Sequence, residues 1–228
     1  MSGPDRDRDE RFVPALAYRW LTPLYDPLIR LTTRERAFKA GLLEQASVEP
    51  RMDVLDLGCG TGTLAIWTKQ RVPEARVAGV DGDPEMLEWA ESKAERAGVE
   101  LTLSSGMSFE LPHADASFDR VLSSLFFHHL IRADKERTLA EVRRVLRPGG
   151  ELHIADWARP ADPLMSVLSR SIMLLDGREQ TEDNLRGRLP DLIAAAGFGE
   201  VEQGRAYRTI YGTLALLRAR RPATGSAA

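Results

Sequence analysis

The sequence predicts an α/β fold: a doubly wound, mostly parallel sheet with helices on both faces, preceded by an N-terminal helical extension. Three observations predict it. From residue 52 onward, short apolar runs alternate four times with helical stretches, the pattern of strand–helix units whose strands lie parallel. The first run, Val54 to Leu57, passes into a turn with glycines at Gly58, Gly60 and Gly62. The second, Val77 to Val80, ends on an acidic residue, Asp81.

Each element follows from local chemistry. Residues 1–11 alternate Asp and Arg with no apolar group to bury, and read as a disordered leader. Residues 12–45 form a helical cap: Leu16, Trp20, Leu24, Leu28 and Leu31 recur at loosely helical spacing, broken into short helices by Pro14, Pro23 and Pro27. Strand one covers Val54–Leu57, and Leu64–Arg71 is the next helix. Strand two covers Val77–Val80. Asp83 caps the following helix with Pro84 at its first position. Met86, Leu87 and Ala90 supply its apolar face, and Gly98 closes it. Leu101–Leu103 and Phe118–Ser123 are strands three and four. Asp134 is expected to cap a helix that buries Leu139, Val142 and Val145 and stops at Pro148-Gly149-Gly150, before strand five at Leu152–Ala155. Residues 160–188 are an irregular helical insertion with an apolar stretch from Met165 to Leu175. A short helix at Leu192–Ala196 ends at Gly197. Two last strands are expected, around Val201 and over Tyr211–Leu217, with 219–228 as a tail. With no internal repeat and no linker, residues 12–218 read as one domain.

Composition narrows the function classes. The 228 residues, 43% of them hydrophobic, suffice for one well-packed core. A net charge of −3 leaves no basic footprint for a nucleic-acid backbone. Local clusters at Arg143, Arg144 and Arg147, and at Arg218, Arg220 and Arg221, read as a solvated helix face and a terminal tail. The single cysteine, Cys59, excludes an internal disulfide and a cysteine-based metal cluster. No apolar run approaches the roughly 18–20 residues of a membrane span, and residues 1–11 lack a signal-peptide core. A cytoplasmic protein without integral membrane association is expected. No His, Asp and Glu residues lie at metal-ligand spacing, so no metal is expected.

The chemistry resides in the glycine turn. Without side chains, a ligand approaches the backbone closely, and the next helix offers its unpaired N–H groups. A carboxylate at the end of strand two, Asp81, suits a pair of ribose hydroxyls. Asp56, just before the glycines, suits a cationic amino-acid head. A nicotinamide dinucleotide is disfavoured, because its G-x-G-x-x-G fingerprint needs glycine where Thr63 stands.

Three segments carry a resemblance: Asp56-Leu57-Gly58-Cys59-Gly60-Thr61-Gly62, Phe118-Asp119-Arg120-Val121-Leu122, and Arg144-Val145-Leu146-Arg147-Pro148-Gly149-Gly150. Over about residues 20–218 the chain resembles the class I S-adenosylmethionine-dependent methyltransferases, within them the ubiquinone/menaquinone C-methyltransferase-like group. The resemblance implies a Rossmann-like sheet of seven strands with the last antiparallel. It implies S-adenosyl-L-methionine as cofactor and S-adenosyl-L-homocysteine as product. Asp56, Gly58, Gly60 and Gly62 would surround the methionine part, Asp81 would bind the ribose, Gly82 would lie beneath the adenosine, and Cys59 is a further cofactor-binding candidate. Met86, and Ser123 and Ser124 at the end of strand four, complete the candidate set. After strand three the family commonly places Gly-Asp-Ala before a Leu-Pro pair. Alignment on Leu111-Pro112 puts Gly106, Met107 and Ser108 there, so adenine would rest on the Met107 thioether and on backbone near Ser108. Tyr25 resembles the tyrosine that covers the cofactor in many relatives, and Tyr18 is a weaker version of it.

Methyl transfer from a sulfonium needs in-line positioning and exclusion of water, and a general base only where the nucleophile must lose a proton. His128 and His129, after strand four, are candidates for that role. Asp156 lies at the edge where such folds bind ligands. Cytosine C5 and arsenite methylation need cysteines that the chain lacks, and adenine amino methylation needs prolines absent from Ser123-Ser124-Leu125-Phe126. The reading is methyl transfer to a small molecule, with oligomeric state left open. The rival readings are a same-fold cyclase or decarboxylase, and a cofactor-binding regulatory partner.

Overall fold

A computed structural model describes residues 34–223. The leader, Tyr18, Tyr25 and the expected helices before residue 34 lie outside the described residues. Seven strands form one sheet: β1 (Asp53–Leu57), β2 (Arg76–Asp81), β3 (Thr102–Ser105), β4 (Phe118–Ser124), β5 (Leu146–Trp157), β6 (Gly199–Thr209) and β7 (Gly212–Arg220). Their order is β3-β2-β1-β4-β5-β7-β6, parallel throughout except that β7 runs antiparallel to both neighbours. The chain winds outward from β1 to β3, then returns to place β4 on the other side of β1. Ligands bind at such a switch point, where the carboxyl ends of β1 and β4 splay apart.

Strand side chains alternate between two cores. Leu55 and Leu57 of β1, and Leu152 and Ile154 of β5, pack with Leu139, Val142 and Val145 of helix α4 (Arg132–Val145). Val54 of β1 and Ala155 and Trp157 of β5 face the opposite way. They meet Phe38 and Leu42 of α1 (Glu35–Ala46) and Leu64 and Ala65 of α2 (Thr63–Arg71). The described part of the expected cap, α1, thus packs on a sheet face. In α3 (Pro84–Ala97) Asp83 caps as expected, its Oδ1 accepting from the Glu85 N–H, and Gly98 closes the helix. Ala90 and Ala94 are its buried residues, while Met86 and Leu87 are half-buried.

Four expectations are corrected. Helix α4 starts at Arg132, with Ile131 in extended conformation as its N-cap. Asp134 therefore sits inside the first turn, where the positive end of the helix dipole still favours its charge. Pro148-Gly149-Gly150 is no turn before the fifth strand. β5 begins at Leu146, and its pairing with β4 shifts register between Phe118 and Arg120, so the extra residues are absorbed in place. Gly149 takes φ +80° there, and its N–H donates to the Arg221 carbonyl. The tail begins later than residue 219, because β7 pairs through Arg220 with Glu151 and Tyr211 lies in the β6–β7 turn. Nor are the arginine clusters merely solvated. Arg144 bridges Glu141 and Asp115, Arg147 bridges Asp53 and Asp119, and Arg218 and Arg220 hold Glu151.

Residues 160–188 form three short helices: α5 (Pro163–Leu168), α6 (Arg170–Leu175) and α7 (Arg178–Leu185). Met165 and Ile172 are buried, whereas Leu164, Val167 and Leu174 are exposed. Helix α8 (Leu189–Ala195) then leads to β6.

Candidate active site

The carboxyl ends of β1, β2 and β4 enclose a cavity of about 280 Å³. Its lining includes Gly58 of the glycine turn, Asp81 and Gly82 after β2, Gly106, Met107 and Ser108 after β3, and His129. The sequence pointed to all seven. Phe109, Phe126, Leu130, Ile131, Asp134 and Gln180 also line it and were not anticipated. The apolar pair Phe126-Phe127 after strand four was the available signal. Gln180 had none, since α7 is brought over the cavity only by tertiary contacts.

The glycines do distinct work. Gly58 has φ +66°, and a Cβ there would lie 2.3 Å from the Phe126 ring, so the ring is seated on bare backbone. Gly60 has φ +50°, and its Cβ would meet nothing within 4 Å, so a side chain there would project into open space. Gly62 lets α2 approach α3, with Ala90 Cβ 3.0 Å from where a Cβ would stand.

Asp81 closes the turn. Its Oδ2 accepts from the Gly60 N–H at 2.7 Å and its Oδ1 from the Asp83 N–H at 3.0 Å. Burial raises its pKa, and those two backbone donors pull against the rise. Asp56 lies beneath the turn, 2% exposed, and its Oδ2 accepts from the Ala65 N–H in the first turn of α2 at 3.0 Å. Burial pushes its pKa up to about 7, against the opposing pull of Lys39 and that N–H.

Other expected residues stand back from the cavity. Cys59 is buried with its Sγ against Gly79, and burial raises its thiol pKa, which keeps it unreactive. The Ser123 hydroxyl donates to the Leu57 carbonyl and ties β4 to β1. The buried Ser124 hydroxyl has no hydrogen-bond partner among the described residues. Ser108 touches the cavity, but its hydroxyl is engaged with Thr138 at 2.8 Å. Met86 lies one turn into α3 and does not line the cavity.

The two histidines follow a strained bend. Leu125 takes φ +55°, sparsely populated for a side chain with a Cβ, and its N–H donates to the Ala155 carbonyl. A short 3-10 turn, Phe127–His129, then presents both rings. Asp156, at the end of β5, accepts from the His128 backbone N–H and lies 2.7 Å from His128 Nδ1. It also accepts from the Trp157 N–H. Burial opposes its charge, but His128 and the Trp157 donor hold its pKa below the usual range. His128 is buried behind the cavity wall, with Nε2 3.6 Å from Asp176 Oδ2. His129 keeps 29% of its side chain exposed, with Nδ1 3.9 Å from Asp176 Oδ1. Burial, reinforced by His128, lowers its pKa to about 3, so it is neutral.

Comparison with known proteins decides the family. The methyltransferase-domain family matches residues 54–150. The demethylmenaquinone methyltransferase of Thermus thermophilus is 36% identical over 152 residues, 66% of this chain and 68% of that protein. An uncharacterized methyltransferase of Synechocystis sp. is 30% identical over 204 residues, 89% of this chain and 92% of that one. The chain belongs to the class I S-adenosylmethionine-dependent methyltransferases, in the ubiquinone/menaquinone C-methyltransferase-like group. The cofactor of that family of enzymes is S-adenosyl-L-methionine. The demethylmenaquinone methyltransferase of Deinococcus radiodurans is 34% identical, and the chain spans 62% of its length.

Solved structures agree on the fold. The YcgJ protein of Bacillus subtilis superposes with a TM-score of 0.65 at 20% identity, covering 81% of this chain and 97% of that one. The [4+2]-cyclase SpnF superposes at 0.66, also at 20% identity, covering 82% and 80%. No helix among the described residues is long and apolar enough to cross a membrane.

Proposed function

We propose that this chain transfers the methyl group of S-adenosyl-L-methionine to a small, partly apolar molecule. The carrying observation is the cavity at the switch point, lined both by glycine backbone and the Asp81 carboxylate and by the apolar side chains Phe126, Leu130 and Ile131. The polar lining suits a nucleoside and the apolar lining an acceptor. Two relatives are named for demethylmenaquinone, which supports an acceptor with apolar surface.

In this reading Asp81 releases the Gly60 N–H and accepts from the ribose hydroxyls. Gly60, whose missing side chain leaves open space, lets the methionine part lie against backbone, Gly58 and Gly62 shape the turn around it, and Asp56 supplies negative charge below. Gly82 and Met107 hold the adenosine. The acceptor's nucleophilic atom attacks the methyl carbon in line with the departing sulfur, and S-adenosyl-L-homocysteine remains. His129, which lines the cavity, acts on the acceptor's proton or oxygen, with His128 behind it.

Residues 160–188 form the proposed cover that excludes water. Gln180 of α7 already lines the cavity, and α7 is anchored to α4 where buried Lys135 donates to the Gln180 carbonyl at 2.6 Å. The exposed Leu164, Val167 and Leu174 sit on the two helices preceding it.

Calorimetry tests the cofactor, and transfer of a labelled methyl group into a lipid and metabolite extract tests the reaction. Binding of S-adenosyl-L-methionine and its product, followed by label in an organic-soluble compound, is expected. Tight dinucleotide binding with neither sulfur ligand bound overturns the reading.

A further inference from the structure

We propose that His128, His129 and Asp176 form a binding site for a divalent first-row transition-metal ion beside the cavity. Nitrogen from each ring and a carboxylate oxygen lie within 4.8 Å of one another. His128 Nε2 is 3.6 Å and His129 Nδ1 3.9 Å from the Asp176 carboxylate. Ligand atoms about 2.1 Å from a shared ion sit roughly 3.0–3.4 Å apart at octahedral to tetrahedral angles. With every pair within 4.8 Å, the three atoms close onto a shared ion through roughly 1–2 Å of side-chain adjustment.

The surroundings fit a ligand set better than a plain ion pair. Asp156 Oδ1, 2.7 Å from His128 Nδ1, accepts a hydrogen bond from it in the tautomer that leaves the lone pair on Nε2, facing Asp176. A carboxylate that orients a metal-bound imidazole through its other nitrogen is the usual second partner of such a ligand. An ion pair would need one histidine; here the two rings lie 4.0 Å apart between centroids and turn nitrogens toward the same carboxylate. Two imidazoles and one carboxylate suit zinc, cobalt, iron or nickel rather than magnesium. Three protein ligands also leave an open position, as in metal sites that act on substrates. His129 lines the cavity, so an ion on it adjoins the space assigned to the acceptor. There it would stabilise an acceptor oxygen as the anion. That role rests on the methyl-transfer reading; ion binding itself does not.

The test uses chelator-treated full-length protein, free of any histidine tag, titrated with Co²⁺ and without cofactor. The expected result is ligand-field absorption in the visible that saturates at one Co²⁺ per chain and is bleached by Zn²⁺. Asp176→Asn and His129→Ala, each shown folded by circular dichroism and a cooperative melt, should weaken Co²⁺ binding at least tenfold. Zn²⁺ should raise the melting temperature of the wild type but not of Asp176→Asn. Absence of saturable Co²⁺ uptake by the wild type overturns the site, as does equal uptake by both variants. Calorimetry with S-adenosyl-L-homocysteine on the metal-free protein reports separately on the cofactor reading.

Discussion

Asp56→Asn separates what this residue does for the cofactor from what it does to stability. The carboxyl is 2% exposed and ionises near 7 in the folded chain, against 3.8 without the fold. Because its folded pKa is raised, the folded state holds the proton more tightly than the unfolded state. Stability from this group is therefore full below about pH 4 and is lost as pH rises toward 7. Each pH unit in that window removes about 1.4 kcal/mol, so the buried charge lowers stability by on the order of 4 kcal/mol at pH 8. Asparagine keeps an oxygen to accept from the Ala65 N–H and carries no charge, but its buried amide nitrogen has no partner at this position, which costs about 1–3 kcal/mol. The variant should thus be more stable than the wild type by about 1–3 kcal/mol at pH 8. That advantage should shrink by about 3 kcal/mol on going to pH 5. Urea melts of both proteins at the two pH values measure it. The same variant should bind S-adenosyl-L-methionine about 10- to 100-fold more weakly, the loss of one charge-assisted contact. A stability difference that is the same at pH 5 and pH 8 would refute the reasoning.

Asp81→Ala removes the acceptor proposed for the ribose and should weaken binding of S-adenosyl-L-homocysteine by about 1–3 kcal/mol in calorimetry; wild-type affinity would remove Asp81 from the cofactor site. Gly58→Ala adds a Cβ 2.3 Å from the Phe126 ring at a positive φ, and should cost about 2–4 kcal/mol of stability by chemical denaturation. Pairing it with Phe126→Ala should relieve the clash but not the backbone strain, so a fully additive double mutant would contradict the contact. Met107→Asp should keep or improve cofactor affinity, since Met107 lines the cavity and the resemblance implies an acidic residue at its position; a folded variant with sharply weaker binding would show that the thioether is essential. In hydrogen exchange, cofactor product together with an acceptor should slow residues 160–188 as well as the glycine turn, and slowing confined to the turn argues for an open surface instead.

The sequence by itself determined the framework of this protein. Strand–helix alternation, the Asp83-Pro84 cap and the three glycines are local signals, each decided within a few residues, and they located the strand cores and several residues that line the cavity. Asp81 was legible because it stands at a strand end at a fixed distance from the glycine turn. What only the tertiary structure decided is whatever depends on pairing between distant segments. The fifth strand runs back to Leu146 because β4 and β7 supply partners for a Pro-Gly-Gly stretch that locally reads as a turn. Ser123 and Ser108 look like polar ligands in sequence, yet Leu57 and Thr138 take their hydroxyls. Arg147 of β5 and Arg220 of β7 look solvated until Asp53, Asp119 and Glu151 are brought to meet them. Most of all, His128 and His129 are adjacent in sequence, but Asp156 and Asp176 reach them only because β5 ends beside the 3-10 turn and the following helices fold back over it. A sequence displays spacing along the chain, whereas ligand sets and proton relays depend on distance through space, which the winding of the sheet creates.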